Sequence, residues 1–256
     1  MSNDFDAFLS DAVENARAMQ GWDFSYVNGR RHTDRHPWDY IETVCSRLGG
    51  IHDMLDMETG GGEVLLSLNE RSKQWPDRVS ATEGYAPNVA VARRNLLPIG
   101  AGVVECSSSD ELPFKDESFD LITNRHGDFS ESEVRRVLKP GGAFITQQIG
   151  FATKISFNDL LNGPDPSYER VRFEEFVSRF EDADFEIIDR QEYNGSDIFD
   201  DVGAVVFVLM AAPWEIPGFS VEQYRDQLYA LHESIKLDGP IDVGVSFFLL
   251  SARKRR

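Results

Sequence analysis

Short apolar runs alternate with helix-like segments between residues 51 and 150 of this chain. The apolar runs are "IHDMLDM", "VSAT", "GVVEC", "FDLIT" and "GAFITQQIG". Residues 63–74, 87–97 and 130–138 lie between them and have apolar positions at helical spacing. Such alternation is typical of βαβ units, in which parallel strands form a buried sheet with helices on both faces. The pattern therefore predicts an α/β fold with a mostly parallel sheet.

The segments on either side of this core are less regular. Residues 4–20 predict an amphipathic helix, and residues 21–40 follow neither a strand nor a helix period, which suggests a lid. Two late strands, at residues 185–193 and 243–253, are joined by a long connection that contains "AAPWEIPGF". This arrangement fits an antiparallel hairpin at the sheet edge, and we interpret the connection as a cap over the binding pocket.

We expect a single domain, because the apolar content suits one core with an elaborated cap. The expected parts are N-terminal helices and lid at 1–50, a core at 51–150 and a C-terminal part with the cap at 151–256. Aromatic residues of the lid and cap either form a wall for a planar ligand or pack in the ordinary way. They are Trp22, Phe24, Tyr26, Trp38 and Trp214.

The charge of the chain limits its partners. The sequence has 26 Lys and Arg against 44 Asp and Glu, a formal net charge of -18, which repels phosphate backbones. A neutral or cationic small molecule is therefore favoured over nucleic acid. No apolar stretch approaches the roughly 20 residues that cross a bilayer, and the acidic N-terminus has no apolar signal segment. We therefore expect a cytoplasmic protein with no membrane partner, and no residue spacing predicts a metal site.

A glycine-rich turn follows the first predicted strand of the core, in "LDMETGGGE". Asp56 ends the strand, and Gly60, Gly61 and Gly62 open the next helix, where backbone N–H groups can point at a ligand. Proteins that bind dinucleotides, S-adenosylmethionine (SAM) or phosphates share such turns, and some turns of this kind bind nothing. The turn alone therefore indicates a site without identifying the ligand.

Glu83 ends the second predicted strand, in "VSATEGY", roughly 20 residues beyond the glycine turn. An acidic residue at this spacing can accept hydrogen bonds from both hydroxyls of a ribose. The spacing fits any adenosine-containing cofactor, and the alternative is a solvated glutamate at the start of a loop.

Four segments carry a resemblance to a known family: "LDMETGGGE", "ATEGYAPNVAVARRNL", "SSSDELPFKDESFDLITNRH" and "EVRRVLKPGGAFITQQIG". Together they resemble the class I SAM-dependent methyltransferases, especially the small-molecule branch that includes the ubiquinone and menaquinone biosynthesis enzymes. The resemblance implies a Rossmann-like, seven-stranded, mostly parallel sheet with an antiparallel C-terminal hairpin. It also implies SAM as the cofactor and S-adenosylhomocysteine as the product. The segments "LPFKDESFDLI" and "RVLKPGGAFI" are not expected of a nicotinamide oxidoreductase.

The resemblance also implies roles by position. Asp56 and the glycine turn hold the methionine part of SAM, Glu83 the ribose, and Tyr85 covers one face of the adenine. Ser108 stands where relatives place an acid for the adenine amino group, and Asp110 is a nearby substitute. The residues expected to bind the cofactor are Asp56, Glu58, Gly60, Gly61, Gly62, Glu83, Gly84, Tyr85, Ser108, Ser109, Asp110, Asn124 and Arg125.

Two positions depart from the family pattern. Glu58 replaces the first motif glycine and adds a negative charge where the SAM carboxylate is expected. Ser108 in place of an acid removes about one hydrogen bond to the adenine, or ~1 kcal/mol.

His126 and Asp128 are the candidate catalytic residues. A general base assists transfer to an alcohol, phenol or protonated amine, and His126 has a suitable unperturbed pKa after the fourth core strand. Asp128 is expected to orient that histidine or to bind a cationic acceptor; the alternative for both is a structural or substrate contact.

The prediction is thus a SAM-dependent methyltransferase for a small-molecule acceptor, with an O, N or C atom as the target. The alternatives are a non-catalytic protein that binds SAM or S-adenosylhomocysteine, which Glu58 favours, and an RNA or protein methyltransferase.

Overall fold

The chain forms two compact units in a computed structural model that describes residues 3–19, 23–107, 111–150, 154–166 and 171–256. The first unit consists of Met1–Arg35, Phe151–Arg170 and Asn194–Ser246. The second unit consists of His36–Gly150, Val171–Tyr193 and Phe247–Arg256. That the whole chain acts as one domain stays a prediction.

Helices and strands alternate along most of the described chain. The α-helices are α1 (Asn3–Ala18), α2 (Tyr40–Cys45), α3 (Glu63–Arg71), α4 (Ala86–Leu96), α5 (Glu131–Val137), α6 (Phe157–Leu161), α7 (Phe173–Asp182), α8 (Val202–Ala211) and α9 (Arg225–Asp238). The strands are β1 (Arg31–Thr33), β2 (Asp53–Met57), β3 (Arg78–Glu83), β4 (Gly102–Glu105), β5 (Phe119–Arg125), β6 (Leu138–Ile149), β7 (Phe185–Phe199) and β8 (Ile241–Lys254).

The strands form an eight-stranded sheet in the order β1-β7-β8-β6-β5-β2-β3-β4. The neighbours from β6 to β4 are parallel, whereas β8 is antiparallel to β6 and β1 is antiparallel to β7. The predicted Rossmann-like architecture is confirmed, with one more strand than the seven expected.

Helices cover both faces of the parallel part of the sheet. Met54 and Leu121 belong to one buried apolar cluster with residues of α2, α3 and α4. Their chain neighbours Leu55 and Ile122 belong to a second cluster with residues of α5 and α7. Because consecutive strand residues point to opposite faces, these strands are buried on both sides, as their continuous apolar runs predict.

The extra strand β1 lies in the segment that we interpret as a lid. It pairs with the end of β7, and polar side chains support the pairing. Arg31 Nε donates to an Asp197 carboxylate oxygen at 2.9 Å, and the Thr33 hydroxyl donates to the same carboxylate at 2.7 Å. Hydrophobic periodicity does not detect a strand of this kind, because charge pairing rather than an apolar face stabilises it.

The apolar helix α8 is buried within the first unit. Nine of its ten residues are buried, and they pack in a cluster with Phe5 and Leu9 of α1. A helix that is apolar all round has no amphipathic period, so the sequence did not reveal it. Asp201 caps this helix and pairs with Arg30 at 2.8 Å. None of the described helices is both long and apolar enough to span a membrane.

The direction of the chain reverses between β2 and β5. From β2 the chain continues outward through β3 to β4, and it then returns to the other side of β2 as β5. In open α/β sheets, ligands bind outside the carboxyl ends of the strands at such a switch point. A ligand site is therefore expected at the turns that follow β2, β3 and β5.

Candidate functional site

The glycine turn joins β2 to α3 at the switch point. Gly60 and Gly62 have positive φ angles of 64° and 89°. A Cβ on Gly62 would lie 2.7 Å from the Leu96 side chain, so a larger residue does not fit there. The Thr59 N–H donates to the Thr82 carbonyl at 2.9 Å, which holds the turn against the end of β3.

Glu83 is buried at the end of β3, with 3% of its surface exposed. Its carboxylate accepts the Gly60 N–H at 2.7 Å and the Tyr85 N–H at 2.8 Å. Burial is the main cause that raises the pKa of Glu83 above its ordinary value. Each oxygen takes one backbone donor and keeps acceptor capacity for a further one. Glu83 therefore ties the glycine turn to the next strand and remains able to accept hydroxyl groups.

Asp56 is also only 3% exposed. The Thr123 hydroxyl of β5 donates to its carboxylate at 2.7 Å. Burial raises the pKa of Asp56 to about 6. Within the described ranges no cationic side chain forms an ion pair with it. A positively charged ligand group would therefore be favourable beside Asp56.

Glu58 has a positive φ of 54°, a backbone conformation that suits the glycine found at this position in the family pattern. Its carboxylate accepts the Gly84 N–H at 3.2 Å, and its negative charge contributes to the raised pKa of Glu83. A Cβ on Gly127, beyond β5, would lie only 2.5 Å from the Glu58 Cβ. Glu58 therefore contacts both neighbouring strand ends.

We expect the variant Gly127→Ala to lose about 1–3 kcal/mol of stability, because its added methyl group overlaps Glu58. In a Glu58→Gly background this loss should shrink by more than half, since no Cβ remains at position 58. Urea unfolding of the wild type, both single variants and the double variant measures the coupling. Equal penalties in the two backgrounds would show that the contact does not limit position 127.

Tyr85 begins α4 as its N-cap and is 64% exposed, so its ring is accessible for stacking. Gly84 lies close to the chain after β4, because a Cβ there would approach the Ser107 Cα to 3.0 Å. Ser108, Ser109 and Asp110 lie outside the described residues, and the adenine contacts expected of them stay predictions.

Asn124 and Arg125 are the last two residues of β5, and the first is buried whereas the second is exposed. The buried Asn124 side chain donates to the Met57 carbonyl at 3.2 Å and accepts the Thr146 hydroxyl at 3.3 Å. These hydrogen bonds join the ends of β2, β5 and β6. A cofactor that contacts the Asn124 side chain must therefore share or replace one of these hydrogen bonds. The exposed Arg125 places its guanidinium 6.0 Å from the centre of the Tyr40 ring.

His126 follows β5 with a positive φ of 61°, and its N–H donates to the Gln147 carbonyl at 2.9 Å. Its Nε2 lies 3.2 Å from the Gln147 side-chain nitrogen. The pKa of His126 is lowered, first because neighbouring protein desolvates the ring and then because Arg125 and His36 add positive charge. A neutral histidine with a lowered pKa is a weak base.

The structure does not join Asp128 to His126 by a hydrogen bond within the described ranges; Gln147 is the side chain that contacts the ring. The sequence analysis missed Gln147, although it stands in the "TQQ" run near the carboxyl end of β6, opposite the last residue of β5. Trp38, considered for an aromatic wall, is buried and donates its Nε1–H to Gln147 at 2.9 Å.

The sequence profile of a methyltransferase domain family, Methyltransf_11, matches residues 55–146. The mouse (Mus musculus) mitochondrial 2-methoxy-6-polyprenyl-1,4-benzoquinol methylase is 31% identical over 103 residues, which are 33% of this chain and 32% of the relative. The ubiquinone/menaquinone biosynthesis C-methyltransferase UbiE of Rickettsia bellii is 30% identical over 105 residues, 36% of this chain and 42% of the relative. The chain thus spans less than half the length of these curated relatives.

Solved structures share the fold at low sequence identity. A provisionally named methyltransferase of Bacillus halodurans C-125 is 22% identical, with a TM-score of 0.62 over 84% of this chain and 97% of the other. The 4+2 cyclase SpnF is 16% identical, with a TM-score of 0.56 over 97% of this chain and 93% of the other. Geranyl diphosphate methyltransferase in complex with SAM is 14% identical, with a TM-score of 0.52 over 84% of each chain.

The matched segment contains the glycine turn, the buried acids Asp56 and Glu83, the end of β2 and all of β5. Fold, local geometry and sequence profile agree over this part of the chain. Residues 55–146 match the profile of a methyltransferase domain family, and the solved structures show the same fold.

Proposed function

We propose that this protein is a SAM-dependent methyltransferase that acts on a small-molecule acceptor. The observation that carries the proposal is the pair of buried acids, Asp56 and Glu83, on either side of the glycine turn at the switch point. A dinucleotide enzyme could use the same turn, but the matched family profile supports SAM.

The residues of the turn fit this cofactor. Asp56 suits its positively charged amino group, Glu83 suits the ribose hydroxyls, and the exposed Tyr85 ring suits one adenine face. The buried Thr59 hydroxyl lies in the turn close enough to the Asp56 carboxylate to lower the pKa of that group, so a polar group of the turn stands beside the proposed amino-group site. When bound, SAM supplies a methyl group that its sulfonium makes electrophilic.

The protein's own task is then to position the acceptor and exclude water. The net charge of -18 favours a neutral or cationic acceptor over nucleic acid. The mouse relative is named for a benzoquinol, which supports a small organic acceptor. The proposal includes an O, N or C atom as the methyl acceptor, and the cytoplasmic location stays a prediction.

A second candidate is a protein that binds SAM without transferring its methyl group. Glu58 favours it, because its carboxylate lies beside the turn and interacts with Gly84. The fold is also compatible with other chemistry, since it is shared by a protein named as a cyclase. If a Glu58→Gly variant binds SAM as well as or better than the wild type, the result supports the methyltransferase over this second candidate. A large loss of affinity would show that Glu58 contributes to SAM binding.

Calorimetric titration of the full chain with SAM and with S-adenosylhomocysteine, at low and moderate salt, tests the proposal. We expect micromolar binding of both ligands, roughly -8 kcal/mol. Radiolabelled SAM and a panel of phenols, quinols, amines and carboxylic acids then separate catalysis from binding alone. Folded protein that binds neither ligand contradicts the proposal. Methylation of RNA, with no methylation of the panel compounds, would contradict the small-molecule acceptor and support an RNA methyltransferase.

A further inference from the structure

Trp38, Gln147 and His126 form a hydrogen-bonded series at the carboxyl ends of β5 and β6. The Trp38 Nε1–H donates to the Gln147 Oε1 at 2.9 Å. The Gln147 Nε2 lies 3.2 Å from the His126 Nε2. Trp38 and Gln147 are both buried, so neither can exchange these partners for water at low cost.

The order of donors and acceptors in this series follows from chemistry. An indole Nε1–H can only donate, so the oxygen of the Gln147 amide must face Trp38. The amide nitrogen then faces His126, and an amide nitrogen can also only donate. The His126 Nε2 must therefore accept, and in a neutral imidazole the proton is then on Nδ1.

The surroundings hold the ring in this arrangement. The His126 backbone N–H is bonded to the Gln147 carbonyl, so the same residue fixes both the backbone and the ring. Phe247 lies 6.1 Å from the His126 ring and 5.5 Å from the His36 ring, which stacks on Trp38 at 4.6 Å. The charged or titratable groups around His126 are Arg125 and His36, both of which disfavour a second positive charge.

We propose that His126 serves the methyl acceptor as a hydrogen-bond donor through Nδ1–H, and that Trp38 and Gln147 are positioning residues that fix this tautomer. Nδ1 has no hydrogen-bond partner among the described residues, and His126 keeps exposed surface at the switch point although neighbouring protein packs around its ring. This inference rests on the proposed function and changes the role first predicted for His126, because its basic nitrogen is already occupied.

The acceptor class follows from the direction of this hydrogen bond. The acceptor presents a lone pair to Nδ1–H, as an ionised phenol or a carbonyl oxygen next to a nucleophilic carbon does. A lone pair or carbanion pair of the acceptor forms the new bond to the methyl carbon, and the carbon–sulfur electron pair leaves with sulfur. Since such an acceptor reacts in its deprotonated form, no proton has to pass to His126.

Long-range ¹H–¹⁵N correlation spectra of the full chain without cofactor test the tautomer directly. His126 signals are assigned by their loss in His126→Asn. We expect a neutral ring with protonated Nδ1 and unprotonated Nε2 from pH 8 down to about pH 5. In Gln147→Glu a carboxylate accepts from both neighbours, so the proton should move to Nε2 and the imidazolium should persist to higher pH.

The matched control is Gln223→Glu, which makes the same charge change at an exposed residue and should leave the His126 signals unchanged. A neutral wild-type ring protonated on Nε2, or an imidazolium at pH 6.5, overturns the proposal whether or not SAM binds. If the spectra show the expected tautomer but the protein binds no SAM, the proposed function is contradicted, and the role of His126 toward a methyl acceptor is contradicted with it.

Once the panel has identified an acceptor, the methyl-transfer activity of His126 variants distinguishes a hydrogen-bond donor from a general base. Asparagine donates a hydrogen bond but is not a base, so His126→Asn should keep kcat within about tenfold, whereas His126→Phe should lose roughly a hundredfold. A base role predicts equal losses in both variants and overturns the proposal. When kcat/KM is measured as a function of pH, the wild-type profile should show no inflection near the ordinary pKa of histidine. The profile of Gln147→Glu should show such an inflection.

Discussion

Replacing Glu83 with alanine is expected to weaken SAM binding at least tenfold. The variant removes the carboxylate that suits both ribose hydroxyls, and a hydrogen bond to a charged group contributes about 1.5–3 kcal/mol. It also removes the acceptor of the Gly60 N–H, a bond that ties the buried glycine turn to the end of β3. Calorimetric titration with SAM measures the loss, and a tenfold change corresponds to about 1.4 kcal/mol.

The matched control for this variant is Glu105→Ala. Glu105 ends the neighbouring strand β4, and it is exposed where Glu83 is buried. Both variants remove one negative charge from a strand end, so a purely electrostatic effect would appear in both. Thermal unfolding shows that each variant is folded before titration. Unchanged affinity in folded Glu83→Ala would contradict the ribose assignment.

Replacing Asp56 with asparagine should stabilise the cofactor-free protein at pH 8 by about 3 kcal/mol. Burial raises the pKa of Asp56 from 3.8 to about 6, roughly two units at 1.36 kcal/mol each. Because the folded protein holds the proton more tightly, the wild type loses stability as pH rises from about 4 to about 6. The asparagine variant avoids this loss and can still accept the Thr123 hydroxyl.

Urea unfolding at pH 4 and pH 8 measures the effect, which should be large at pH 8 and nearly absent at pH 4. The exposed Asp165→Asn is the control and should change stability little at either pH. SAM affinity should move in the opposite direction, because the variant lacks the negative charge that suits a cationic ligand group. A variant that is no more stable at pH 8 than the wild type would mean that Asp56 is not desolvated as its burial indicates.

The parallel core and the turn residues could be predicted from the sequence because their signals are local. Strands buried on both faces contain continuous apolar runs, and Glu83 stands at a fixed distance from the glycine turn. The same approach missed α8, which has no polar face to give a period. It also missed β1, which is stabilised by its bonds to Asp197.

The relation of Trp38 and Gln147 to His126 could not be predicted, since it depends on contacts between residues distant in the chain. In the sequence, residue 147 is one of several polar positions near the end of a predicted strand. Only the pairing of β5 with β6 shows that it lies beside residue 126. The sequence therefore predicted a histidine at the correct sheet edge, while its donor and acceptor roles required the structure.

The pairing of β8 with β6 affects how the domain can be expressed. Residues 247–253 are distant in the chain from the parallel core, yet they pair in register with residues 143–149 of that core. A shortened gene product ending at residue 150 would leave the backbone of β6 unpaired and the apolar surface under Phe248 and Leu250 uncovered. Exposed strand edges of this kind promote aggregation. We therefore expect that the segment matching the family profile does not fold on its own and that studies of its chemistry need β8 as well.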